Sequence, residues 1–264
     1  MLYEDTHRSG PPFALQEMPP QTSAALQLAL RRASGLMIFA ARPRHAAALA
    51  RLREVCRAQV PIVSQYQRFD LVDALAEDVR GLLRLGLKGD AVDVGLVCAN
   101  AFEALRVLAA LGVPPVMLGS EAFIAGIVHA RLVRRIANPQ EAAELREAGD
   151  AALIERVSMG LGGADARVRL RSPHDEGTWH WYVDVLLPDP RMGELLERGS
   201  FGEAWRHWLA LASELPWISA HAAALLDVEA GLIDPRDFEA EFGPIHWQHA
   251  VHDRVLQGYE IARA

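Results

Sequence analysis

The chain has 264 residues, 51% of them hydrophobic, enough to bury a sizeable core in one large or two small domains. Its net charge of −7, with 34 acidic against 27 basic residues, argues against a general nucleic-acid-binding surface. No apolar run reaches the length of about eighteen residues that spans a bilayer, and the first thirty positions carry Glu4, Asp5 and four prolines instead of a basic stretch followed by an apolar one, so a cytoplasmic protein is expected. Cys56 and Cys98 are too few for a disulfide framework and too far apart for a zinc knuckle, which leaves buried free thiols. Lys88 is the single lysine, so chemistry that needs an ammonium has one candidate.

Residues 1–21 are proline-rich and read as an extended arm. Thr22 or Ser23 can cap a helix to about Ala33, with Leu26 and Leu30 on one face, and Gly35 ends it. The wholly apolar Leu36–Ala40 fits a strand buried on both faces of a parallel sheet, and Arg44–Ala58 fits a helix. A short apolar piece, Val60–Val63, precedes Asp70–Leu85, where Leu71, Val72, Leu75, Val79, Leu82 and Leu83 recur at helical spacing. Ala91–Val97 reads as a strand, Phe102–Leu111 as a helix, and Gly112–Pro115 as a turn. Ser120 is then expected to cap a long helix to about Ile136, along which lie Ile124, Ile127 and Val128. Beyond Gln140 the pattern predicts one helix, a flexible stretch at Gly160–Gly163 and a hairpin of Arg167–Arg171 with Trp179–Leu187. Helical pieces at about 191–197, 201–213, 218–230 and 235–241 follow, and a last helix starts near His246.

The string Ala101-Phe102-Glu103-Ala104-Leu105-Arg106-Val107-Leu108, then Leu111-Gly112-Val113-Pro114-Pro115, Ser120–Ile127 and Ala130-Arg131-Leu132-Val133-Arg134-Arg135, resembles the type II secretion and type IV pilus assembly ATPases. Phe13–Ala14–Leu15 through Ile38 resembles that family's lead into its phosphate-loop strand, and Trp181–Leu187 with Met192–Leu196, then Asp227–Phe238, resembles its C-terminal hairpin and closing helices. The likeness covers residues 12–243 and omits the family's large N-terminal region, which implies a motor domain alone. It implies an α/β fold: a degenerate RecA-like P-loop ATPase core with a mostly helical C-terminal subdomain carrying a β-hairpin. The expected divisions are 1–33 for arm and lead-in helix, 34–137 for the core and 138–264 for the C-terminal subdomain.

What the resemblance implies about chemistry is mostly loss. The family's phosphate loop has the form G-x-x-x-x-G-K-[ST], in which bare backbone N–H groups wrap phosphate and a lysine neutralises it. Its place here reads Ala40-Ala41-Arg42-Pro43-Arg44-His45-Ala46-Ala47, with no glycine, lysine, serine or threonine. Pro43 removes a donor and β-carbons bar the close approach that glycine allows, although Arg42 and Arg44 can attract an anion by charge. The acidic position falls on Gln65 in one register and on Asp78 in another; the first is preferred because residues 70–85 are helical by periodicity. The histidine box falls on Val97 or Cys98, and neither does what a histidine does. The zinc-binding cysteines of many relatives are missing from Ile136–Pro139, and a part of the family holding another strand and its acidic box is missing between the first helix and the histidine region.

Among other candidates, His246, His249 and His252 form a stripe that reads first as a solvated helix face. Trp179 and Trp181 share one side of a strand and read as packing before base stacking. Cys98 with His129 lacks the orienting third group that a nucleophile and base need. Two readings follow. One is a non-hydrolysing subunit or regulator, without cofactor, docked on an active secretion or pilus ATPase paralogue or an inner-membrane platform protein, peripheral to that membrane and with homo-oligomers possible. The other is a weakly active motor subunit using ATP and magnesium, completed by a neighbour in a ring as in the family's hexamers.

Overall fold

The computed structural model describes residues 20–32, 34–59, 67–70, 76–137, 148–161, 167–172, 175–214 and 219–245. By contact the chain separates into two compact units, one of residues 1–130 with 183–217 and one of residues 131–182 with 218–264. Both units are discontinuous in sequence, which composition alone has no means to show.

In the first unit, helix α1 (Pro20–Arg31) buries Leu26 and Leu30 completely, as the shared face predicts. Strand β1 (Gly35–Ala41) follows and is buried at every position, which an unbroken apolar run permits only in a strand covered on both faces. Gly35 has φ of 89°, and a β-carbon there would lie 3.0 Å from the Phe123 carbonyl, so the strand starts on a residue that only glycine suits. Beyond a 3₁₀ turn at Pro43–His45, helix α2 spans Ala46–Gln59. Strand β2 (Gln67–Asp70), helix α3 (Ala76–Lys88) and strand β3 (Ala91–Val97) come next. Helix α4 (Ala101–Ala110) is capped by Asn100, whose side chain accepts from the Glu103 amide at 2.8 Å.

A single turn α5 (Pro115–Leu118) leads into strand β4, Ile124–Arg135. This overturns the long helix expected from Ser120 to Ile136. Ile124, Ile127 and Val128 do match helical spacing, yet the segment is rich in β-branched residues and every residue from Ile124 to Ala130 is buried. Only a central strand uses such a sequence fully, because both its faces are covered. Gly126 lets α1 come close, since a β-carbon there would sit 2.7 Å from the Ala29 β-carbon.

The sheet has the order β2-β3-β1-β4-β5, with β5 at Thr178–Leu186. β1 pairs in parallel with β3 on one side and β4 on the other, and β2 pairs in parallel with β3. Helices α7 (Pro190–Glu197) and α8 (Phe201–Glu214) complete the first unit. Its core joins Leu36, Ile38, Val94, Leu105, Ile127 and Trp208.

The second unit holds α6 (Ala148–Gly160), α9 (Ala220–Glu229) and α10 (Pro235–Phe242) around Val133, Val157, Tyr182, Val228 and Phe238. The expected hairpin is not formed. Residues 167–171 make no ladder with β5, because their polar groups are taken elsewhere: the Arg167 amide donates to the Glu229 carbonyl at 2.7 Å and the Arg171 amide to the Asp234 carboxylate at 2.8 Å. The helix expected from Asp70 begins at Ala76, and Asp70 itself closes β2. The apolar piece 60–63, the stretch 162–163 and the stripe His246, His249 and His252 lie outside the described residues. No helix among the described residues is long and apolar enough to cross a membrane.

Candidate functional site

Between β1 and its two neighbours the chain order reverses direction across the sheet: β3 lies on one side and β4 on the other. In an open parallel sheet, the carboxyl ends of the strands at such a switch point form the usual ligand crevice. In this sheet that position falls at the residues that end β1 and β3.

Ala41 is the last residue of β1 and is buried, paired with Val97 of β3 and Ala130 of β4. Arg42 follows in extended conformation, with φ of −67° and ψ of 155°, and the 3₁₀ turn begins at once with Pro43. One residue thus separates strand from helical turn. The His45 amide donates to the Arg42 carbonyl at 2.8 Å, and the Ala46 amide bonds to the Pro43 carbonyl. Two backbone donors that a phosphate-wrapping loop would point outward are used internally. Arg44 is exposed, Arg42 half-buried and His45 buried.

The other end of the crevice is held against this turn. The Cys98 amide donates to the Ala41 carbonyl at 3.0 Å, and the thiol donates to the Asn100 carbonyl at 3.2 Å. His129, fully buried on β4, has Nε2 at 3.1 Å from the Cys98 carbonyl. The structure places Ala41, Arg42, Val97 and Cys98 at the adjoining ends of β1 and β3. His129 joins them from a strand, where sequence periodicity had put a helix.

Gln65 lies outside the described residues, and Asp78 falls inside α3. Asp70, expected to open a helix and given no site role there, occupies the carboxyl end of β2. With Phe69 as the one apolar residue among Gln67-Arg68-Phe69-Asp70, the segment carries no strand signal, and the leucine periodicity that follows masks it.

Behind the crevice, β3 carries a fully buried carboxylate, Asp93, gripped by Arg57 of α2: Nε donates to Oδ2 at 3.1 Å and Nη2 to Oδ1. Cys56 stands beside this pair, and burial pushes its thiol up from 9.0 to about 12, with Arg57 opposing and Asp93 adding to the rise. A thiol so held is inert. In the second unit, Asp227 accepts from both Arg135 and the Tyr182 hydroxyl, and burial first and the Asp227 charge second push that hydroxyl far up. No group of three or more metal-ligating side chains occurs among the described residues.

An α/β sheet in which β1 to β4 run parallel, with its crossover at β1 and a strand-to-helix turn at that point, defines the class of the fold. It is similar to two solved ATPases. The crystal structure of the pilus retraction motor PilT with bound ADP matches with TM-score 0.53 and 11% identity, covering 88% of this chain and 68% of that one. The X-ray structure of the Legionella pneumophila ATPase DotB matches with TM-score 0.51 and 11% identity, covering 88% of this chain and 65% of that one. No protein-family model and no curated protein matches the chain.

Proposed function

We propose that the chain is a degenerate secretion or pilus-assembly ATPase domain, RecA-like in its core, that no longer hydrolyses ATP. It serves as a silent subunit or regulator of a type II secretion or type IV pilus machine, bound to an active ATPase paralogue or to an inner-membrane platform protein. The observation that carries this reading is the single-residue connection at Arg42, combined with a fold like those of PilT and DotB. A triphosphate needs several outward backbone N–H groups and a bare main chain; here the N–H groups of His45 and Ala46 are bonded inward and every residue from 40 to 47 carries a β-carbon. In the preferred register Gln65 stands at the acidic position of the resemblance and is no base, and neither Val97 nor Cys98, the two alternatives for its histidine position, does what a histidine does. Such losses remove the charge stabilisation on which phosphoryl transfer depends. Without nucleotide, what the fold retains is surface for protein contacts.

A titration with a fluorescent ATP analogue in the presence of magnesium tests the reading. It predicts no saturable binding up to millimolar ligand. Magnesium-dependent binding in the micromolar range would instead favour the weakly active motor subunit.

A further inference from the structure

Helix α3 has an inner face that packs and an outer face that packs against nothing described. Inside, Leu82 and Gly86 are buried, Leu83 and Leu85 lean on the core, and Gly86 makes room for the Phe123 ring, which would stand 2.5 Å from a β-carbon there. Outside, Arg80, Arg84 and Lys88 recur every fourth residue and are all exposed, and Leu87 beside them is 70% exposed. Helical rise places the first and last of these cations about 12 Å apart in a single row. Among the described residues none of the three forms an ion pair or a side-chain hydrogen bond, whereas Arg32, Arg57, Arg135 and Arg171 each hold a carboxylate. Like charges at this spacing repel, and only Lys88, in the last turn, gains from the helix dipole. In a chain of net charge −7, this row, unpaired among the described residues, is a local exception.

We propose that the outer face of α3 docks an acidic amphipathic helix of a partner protein. Carboxylates at every fourth residue of that helix pair with Arg80, Arg84 and Lys88, and an apolar side chain covers Leu87. The guanidinium fork takes a carboxylate in a two-point contact, and the linear row matches the pitch of a second helix. An anionic membrane fits less well, because basic helices that recognise lipid present about four to eight cations, and this face offers three beside one leucine. The inference is independent of whether nucleotide binds.

The test is an NMR titration of the full chain, labelled with nitrogen-15, with a synthetic helical peptide bearing three glutamates four residues apart and a leucine on the same face. Amide shifts should cluster at residues 80–90, and affinity should fall about tenfold between low salt and about 1 M salt. R80E/R84E/K88E should abolish the shifts while leaving the circular dichroism of the chain unchanged; if that variant unfolds, R84A/K88A should still weaken binding. A peptide of the same composition with its glutamates spread around the helix should bind more weakly. Shifts elsewhere or none at all, parent-like binding by the variants, or co-sedimentation with phosphatidylserine vesicles by a chain that ignores the peptide would overturn the proposal.

Discussion

The backbone amide of Cys98 donates to the carbonyl of Ala41 at 3.0 Å, joining the first residue beyond β3 to the last residue of β1. Main chain thereby ties the ends of the two strands, and the Cys98 side chain takes no part in that bond. Cys98→Ser keeps both the tie and a donor toward the Asn100 carbonyl, so it should cost no more than about 1–2 kcal/mol. His129→Ala should cost more, about 2–4 kcal/mol, since it empties a fully buried ring site and strips the Cys98 carbonyl of its neighbour. Urea unfolding of the two variants compares them directly.

The Arg57–Asp93 pair is buried, and its worth differs from the cost of breaking it. Arg57→Met leaves a carboxylate at 0% exposure without its cation, with an expected loss of about 3–5 kcal/mol. Arg57→Met with Asp93→Leu should recover most of that loss, because no charge then remains buried. Denaturation midpoints of the single and double variants measure the difference.

Glycines 81 and 119 should respond in opposite directions. A β-carbon at Gly119 would lie 1.9 Å from the Cα of Gly193, backbone that has no room to give, so Gly119→Ala should destabilise by about 1–3 kcal/mol or more. At Gly81, inside α3, a β-carbon meets nothing within 4 Å, and Gly81→Ala should stabilise by about 0.5–1 kcal/mol. Thermal unfolding should show the two shifts with opposite signs.

Cys56 makes stability depend on pH in the alkaline range. Its thiol titrates near 9.0 when unfolded and at about 12 when folded, so the unfolded chain gives up this proton first. The contribution is intact below pH 9 and is lost as pH rises toward 12, which the urea midpoint should follow. At pH 8 the folded chain should hold about a thousandfold less Cys56 thiolate than the unfolded chain, and alkylation mapped by peptide mass should be slower accordingly.

Much of this architecture could be read from residues. Apolar runs of strand length gave β1 and β3 their bounds, and Gly199 and Gly231 punctuate the closing helices where expected. β4 was misread because Ile124, Ile127 and Val128 satisfy the helical period by coincidence, and a strand buried on both faces has no alternation to betray it. The hairpin was misread for the reverse reason: Arg167–Arg171 alternates, yet Asp234, Asp237 and Glu229 capture its polar groups, and those partners are some sixty residues away in sequence. Within the crevice, the absence of glycine and lysine was plain in the sequence. That Arg42 alone bridges strand and turn was not, because loop length depends on where hydrogen bonding begins.

The central claim is that side chains and a tight turn have replaced the main-chain cradle for triphosphate at the end of β1. The most direct measurement is a crystal structure grown with a non-hydrolysable ATP analogue and magnesium at millimolar concentration. The account predicts no ligand density over residues 41–46 and a 3₁₀ turn still present at Pro43–His45. Density for a triphosphate seated there, with the amides of His45 and Ala46 turned toward it, would contradict it.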